Sequence, residues 1–194
     1  MTIPIRRLRM FAGPNGSGKS TLVRSLANEF SSTGHFHLGA WINADEIEVL
    51  LKTGRYDIGP YCGTSDAGVI LTEIAASDRV GSHHPFLAAA QVLGTVLSCD
   101  PSTVDSYVAA TIADLLRSTV LRTGRLLSFE TVMSHPSKIE FLRLARAANY
   151  RIYLDFVATE TVAINLSQIQ TRVHLGEHAV PTVKVTQRYA RSLR

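Results

Sequence analysis

Apolar residues recur along the chain with two alternating patterns. Leu8-Arg9-Met10-Phe11-Ala12 and Ile152-Tyr153-Leu154 are short β-favouring runs bounded by breakers, whereas Val104, Tyr107, Val108, Ile112, Leu115 and Leu116 return at helical spacing. Applied throughout, this contrast predicts strands near 8–12, 37–43, 125–129 and 152–158. Helices are predicted near 19–30, 45–52, 67–77, 85–98, 138–149 and 160–175, with one more from Thr182 onward. Residues 54–66 carry Gly54, Gly59, Pro60 and Gly63 and read as a loop. Asp100-Pro101 is expected to open the long helix of the Val104 stripe, since proline suits a first turn. Ser137 and Glu140 have the spacing of a capping box at the next helix. Strands alternating with helices give an α/β fold with a parallel sheet flanked by helices. In such sheets ligands lie beyond the carboxyl ends of the strands.

Between the first strand and the first helix stand Gly13, Pro14, Asn15, Gly16, Ser17, Gly18, Lys19, Ser20 and Thr21. They match G-x-x-x-x-G-K-[ST], the loop that cradles nucleotide phosphates, and so predict ATP and Mg²⁺ as cofactors. Small residues allow backbone N–H groups to curl around anionic oxygens. Lys19 reaches the β/γ-phosphates, the Ser20 hydroxyl is the expected Mg²⁺ ligand, and the helix adds its positive end. The whole is expected to be a P-loop NTPase or kinase-like domain.

The strand ends supply the remaining candidates. The second offers Asn43, Asp45 and Glu46, and the third Glu130 and Thr131. Phosphoryl transfer needs a group that orients the acceptor hydroxyl and takes its proton; Asp45 is assigned that work and Glu46 the helix dipole. Glu130 is read as an acceptor-orienting or metal-shell acid, with Asn43 and Thr131 beside the acceptor. Asp155 lies mid-strand and is expected to face outward. Arg172, Arg188 and Arg191 follow the last strand, on segments able to close over a transferred phosphoryl group. His83-His84 reads as a solvated helix start, and the His174/His178 pair is interrupted by Gly176.

Composition narrows the class. The 194 residues suit one domain, with a helical insertion expected at about 53–102; 45% are hydrophobic and 19% charged, as in ordinary globular proteins. A net charge of +4, scattered along the chain, gives no nucleic-acid stripe. The longest apolar stretch, 86–97, is too short for a bilayer. Two distant cysteines, Cys62 and Cys99, suggest free thiols, and with no room for a signal peptide before Gly13 the protein is expected in the cytoplasm.

Five segments together resemble the zeta-toxin family of P-loop kinases: GPNGSGKST, INADEI at 42–47, SFETVMSHPSK at 128–138, RVHLGEHAVP at 172–181 and RYARSL at 188–193. The resemblance, strongest to the short chromosomal branch, implies phosphorylation of the 3′-hydroxyl of UDP-N-acetylglucosamine, with an antitoxin protein as partner. It puts the base on Asp45, a sugar-orienting acid on Glu130 and the phosphate-binding lysine on Lys19. The family's two lid arginines fall on His178 and Arg191, with Arg172 or Arg188 able to compensate. Relatives have a hydroxyl residue where this chain has Val132, and Glu177 departs from the commoner glycine. They also continue past 188–193 into a further helix and strand, so a sheet lacking a C-terminal edge strand is expected. Two alternatives remain open: a kinase of another acceptor (nucleoside, dinucleotide or antibiotic), or an ATP-dependent switch with little turnover.

Overall fold

The computed structural model describes residues 5–31, 37–174 and 181–193. It is an α/β protein whose four-stranded parallel sheet, flanked by helices, is compatible with a P-loop-like fold. The strands are β1 (Arg7–Ala12), β2 (Ala40–Ile42), β6 (Leu127–Thr131) and β7 (Arg151–Phe156), in the order β2-β6-β1-β7. The chain divides into two compact units: Met1–Leu38 with Ser128–Arg194, and Gly39–Leu127.

The first unit holds β1, β7, most of β6 and the helices α1 (Lys19–Ser31), α6 (Ser137–Ala147), α7 (Val162–His174) and α8 (Thr182–Ser192). Leu8, Met10 and Phe11 of β1 and Phe129 of β6 are fully buried, as expected for inner strands covered on both faces. β7 lies at the sheet edge and leaves Leu154 and Phe156 exposed. Asp155 pairs with Arg9 of neighbouring β1 at 3.4 Å, so this acid belongs to an in-sheet ion pair. Phe141 of α6 packs edge-on against Phe129, with ring centroids 5.6 Å apart. The expected capping box does not form at α6. Ser137 is the first helical residue; its N–H donates to His135 Nδ1 (3.2 Å), while Glu140 pairs with Arg143.

The second unit is organised by α5 (Ser106–Thr123), which buries Val108, Ile112, Ala113, Leu116 and Val120. Around it are α2 (Ala44–Leu51), α3 (Thr64–Ala75), the short α4 (Pro85–Ala89) and three small strands, β3 (Arg55–Asp57), β4 (Gln91–Leu93) and β5 (Val96–Ser98). Arg117 is buried on α5 and paired with Asp114, which also binds Arg79 at 2.7 Å.

Three sequence expectations change here. Asp100-Pro101 opens only a 3₁₀ turn; α5 begins after Asp105, whose Oδ1 accepts from Tyr107 and Val108 N–H at 2.9 Å each. Residues 85–98 do not form one helix. They form α4 and then a β4–β5 hairpin, reversed by Gly94 at φ 63°, and β3 from the expected loop joins it in the antiparallel order β3-β5-β4. A glycine first in a two-residue loop suits a type II′ hairpin, and the apolar run hid that signal. His84 is not merely solvated: its Nδ1 caps α4 and its Nε2 lies 3.4 Å from Asp105.

A pair of glycines tests the packing. Gly39 has φ 65°, and a β-carbon there would come within 2.4 Å of both Leu126 Cβ and its carbonyl oxygen. Gly94 has similar φ but open space around it. In urea unfolding, Gly39→Ala should cost about 2–4 kcal/mol, strain plus clash, and Gly94→Ala only about 1 kcal/mol.

Candidate functional site

The loop after β1 is shaped by close approach. Gly13 (φ 137°) lies against the strand-to-helix segment that follows β7: its own β-carbon would sit 2.0 Å from Val157 O. Gly16 (φ 75°) lies against α7, where a β-carbon would meet Asn165 O at 2.5 Å and Ile169 at 3.0 Å. Gly18 differs: φ is 90°, yet nothing lies within 4 Å of its missing side chain. Two glycines thus allow the loop to sit on its support, and the third borders open space. Pro14 O accepts from Ser17 N–H (3.3 Å) and from Lys19 Nζ (2.9 Å), closing a tight turn with the ammonium drawn back across the loop.

Two polar atoms of this loop, Asn15 Oδ1 and Ser17 Oγ, are buried with no partner among the described residues. Such groups cost stability unless something else satisfies them. Beside them Ser20 Oγ donates to Glu130 Oε2 at 2.9 Å. Glu130 therefore meets the hydroxyl expected to bind Mg²⁺, and it lies within β6, which runs to Thr131, rather than beyond the strand's end. Thr131 Oγ1 accepts from Met133 N–H (3.1 Å) at the end of β6. No group of three or more His, Cys, Asp or Glu able to hold a metal occurs among the described residues. A hydroxyl and one carboxylate fit a Mg²⁺ that keeps its waters and takes phosphate oxygens, rather than an all-protein cage.

Sequence reasoning missed Asn165. It is fully buried on α7; its Nδ2 donates to Asn15 O at 2.7 Å and its Oδ1 accepts from Thr159 Oγ1. The signal was a polar residue four positions before buried Ile169, on the inner face of an amphipathic helix. α8 joins the same segment, with Tyr189 OH donating to Thr159 O at 2.8 Å.

Arg172 is exposed in the last turn of α7, and Arg188 and Arg191 lie on α8, where Arg191 Nε bonds Gln187 O of its own helix at 3.3 Å. His178 and the predicted stop at Gly176 lie outside the described residues.

In the second unit, Asn43 is the N-cap of α2: its Oδ1 accepts from Asp45 N–H at 2.9 Å. This bond fixes the helix start and leaves Asp45 exposed in the first turn. Glu46 binds the Trp41 indole N–H through both oxygens, at 3.0 and 3.1 Å, and Tyr61 OH donates to Trp41 O at 3.0 Å. Glu46 thus anchors an aromatic ring, a structural role. Burial and the neighbouring Tyr61 push the Tyr56 hydroxyl far above its ordinary pKa, keeping it neutral. Burial also raises both thiols, and Cys62 and Cys99 are free. No described helix is long and apolar enough to cross a membrane.

No protein-family model matches the chain, and no curated protein or solved structure matches it.

Ser17 offers a direct check on whether the loop is built for a ligand. Ser17→Ala removes a buried hydroxyl that has no described partner, so it should leave stability unchanged or raise it by up to about 1 kcal/mol in thermal melts. If the hydroxyl serves a bound anion, added ATP raises the melting temperature of the wild type and not that of the variant.

Proposed function

We propose that the protein is an ATP- and Mg²⁺-dependent kinase of a hydroxyl compound, with the nucleotide phosphates on the loop from Gly13 to Thr21. The observation that carries the reading is this loop: three positive-φ glycines, Gly18 open, Lys19 Nζ drawn to Pro14 O, and Ser20 bonded to Glu130. When bound, ATP·Mg²⁺ supplies the phosphoryl group and neutralises its charge.

The chain's own residues then have distinct work. Lys19 and the α1 N-terminus favour anionic oxygens, and Ser20 with Glu130 receives the cation. The Ser20 contact supports a metal-side role for Glu130 over the sugar-orienting role the family resemblance implies. Asp45, exposed and oriented by the Asn43 cap, takes the acceptor's proton. Arg172 on α7 and Arg188 and Arg191 on α8 are assigned to the transferred group. The acceptor class, a nucleotide sugar such as UDP-N-acetylglucosamine, and an antitoxin partner come from the resemblance alone.

The test is an assay with ATP, Mg²⁺ and a panel of nucleotide sugars, nucleosides, dinucleotides and antibiotics, read by the mass gain of one phosphate. Gain on UDP-N-acetylglucosamine is expected; gain only on another compound keeps the kinase and replaces the acceptor. Tight ATP binding with no transfer to anything would make the protein a switch.

Lys19→Ala should abolish transfer. Asp45→Asn should keep ATP affinity and lose transfer by roughly 10²–10⁴-fold, the usual worth of a general base. Glu130→Gln separates its two roles. Loss of a metal-side acid lowers the dependence of ATP affinity on Mg²⁺, measured calorimetrically, whereas loss of a sugar-orienting acid leaves that dependence intact and raises KM for the acceptor.

A further inference from the structure

The buried amide of Asn165 joins two parts of the chain 150 residues apart in sequence, and one of them is the phosphate-loop backbone. A polar side chain at 0% exposure on an otherwise apolar helix face is destabilising unless both its ends are bonded. Both are. Nδ2 donates to Asn15 O, and Oδ1 accepts from the Thr159 hydroxyl. These two partners also fix which way the amide faces, since the reverse orientation would set its oxygen against the Asn15 carbonyl.

The consequence lies on the far side of one peptide plane. Across a trans peptide the C=O of one residue and the N–H of the next point in opposite directions. Holding Asn15 O toward α7 therefore turns the Gly16 N–H away from α7. Were that peptide to flip, a carbonyl oxygen would take the place of the N–H. Gly16 is the residue most able to permit such a flip, because glycine populates positive and negative φ about equally. Gly16 has φ 75°, and α7 leaves no room for a side chain there.

We propose that Asn165 is a positioning residue of the nucleotide site: it locks the Asn15–Gly16 peptide with the Gly16 N–H turned toward bound phosphate. The inference rests on the phosphate-loop reading above. Asn165 touches no phosphate itself and acts through Gly16. Thr159 orients the amide, and the Tyr189 hydroxyl of α8 braces Thr159 through its carbonyl.

The experiment uses the full chain and two probes, ATP·Mg²⁺ and inorganic triphosphate, with affinity by calorimetry and the Gly16 amide followed by ¹⁵N NMR. Asn165→Leu keeps the shape and removes the lock. Asn165→Asp replaces the donor with a carboxylate facing Asn15 O. Both should weaken the two probes alike, by about ten- to a hundredfold, the worth of one charge-assisted hydrogen bond. In the wild type the Gly16 amide resonance should shift on adding triphosphate, and in the variants that shift should vanish while the circular dichroism stays native. Thr159→Val removes only the hydroxyl that orients the amide and serves if the Asn165 variants do not fold; it should weaken triphosphate binding in the same direction, by less. A wild type that binds neither probe overturns the nucleotide reading. If the wild type binds and a folded Asn165→Leu binds equally tightly with the same Gly16 shift, or Thr159→Val is silent where Asn165→Leu does not fold, the lock alone is overturned.

Discussion

Everything proposed for the first unit depends on a backbone approach too close for side chains. The loop after β1 rests on Val157 and Asn165 with so little space that a β-carbon at Gly13 or Gly16 would overlap a carbonyl oxygen. Glycine there is a steric requirement first and a conformational one second. The approach brings the loop within hydrogen-bond reach of α7, and Asn165 uses that reach. The same seating leaves Gly18 beside open space and Ser17 Oγ buried with no described partner, the two features most suggestive of a ligand.

Charge is distributed in keeping with that geometry. Lys19 is buried and folded back on Pro14 O, a position from which an ammonium exchanges a neutral carbonyl for an anionic oxygen at little reorganisation. Glu130 meets Ser20, so the acid and the hydroxyl that a hydrated cation needs are already adjacent. In the second unit the acidic start of α2 is divided between two tasks. Asn43 and Glu46 make the local bonds, to Asp45 N–H and Trp41, and Asp45 remains solvent-exposed.

Much of this could be read from the residues in order. The loop motif, the helix after it and the strand-like runs at 8–12 and 152–158 are local signals, and the structure contains the elements they predict. The β4–β5 hairpin was hidden because an apolar run of that length fits a helix as well as two short strands. Pairing of β5 with β3, distant in sequence, joins the Gly94 turn in favouring the strands. The capping box at Ser137 failed for a related reason. His135 captured the Ser137 N–H before the serine could act as a cap, and Arg143 drew Glu140 away.

The sequence by itself determined the chemistry on offer: a phosphate-loop pattern, a lysine, a hydroxyl and a short set of acids, because motif spacing is a property of consecutive residues. Tertiary structure decided which of them meet. Glu130 lies 110 residues from Ser20 and Asn165 lies 150 from Asn15, separations that no periodicity or local propensity reports. The parallel order of β6, β1 and β7 sets the loop after the middle strand beside the ends of its neighbours, since parallel strands deliver their carboxyl ends to one edge of the sheet.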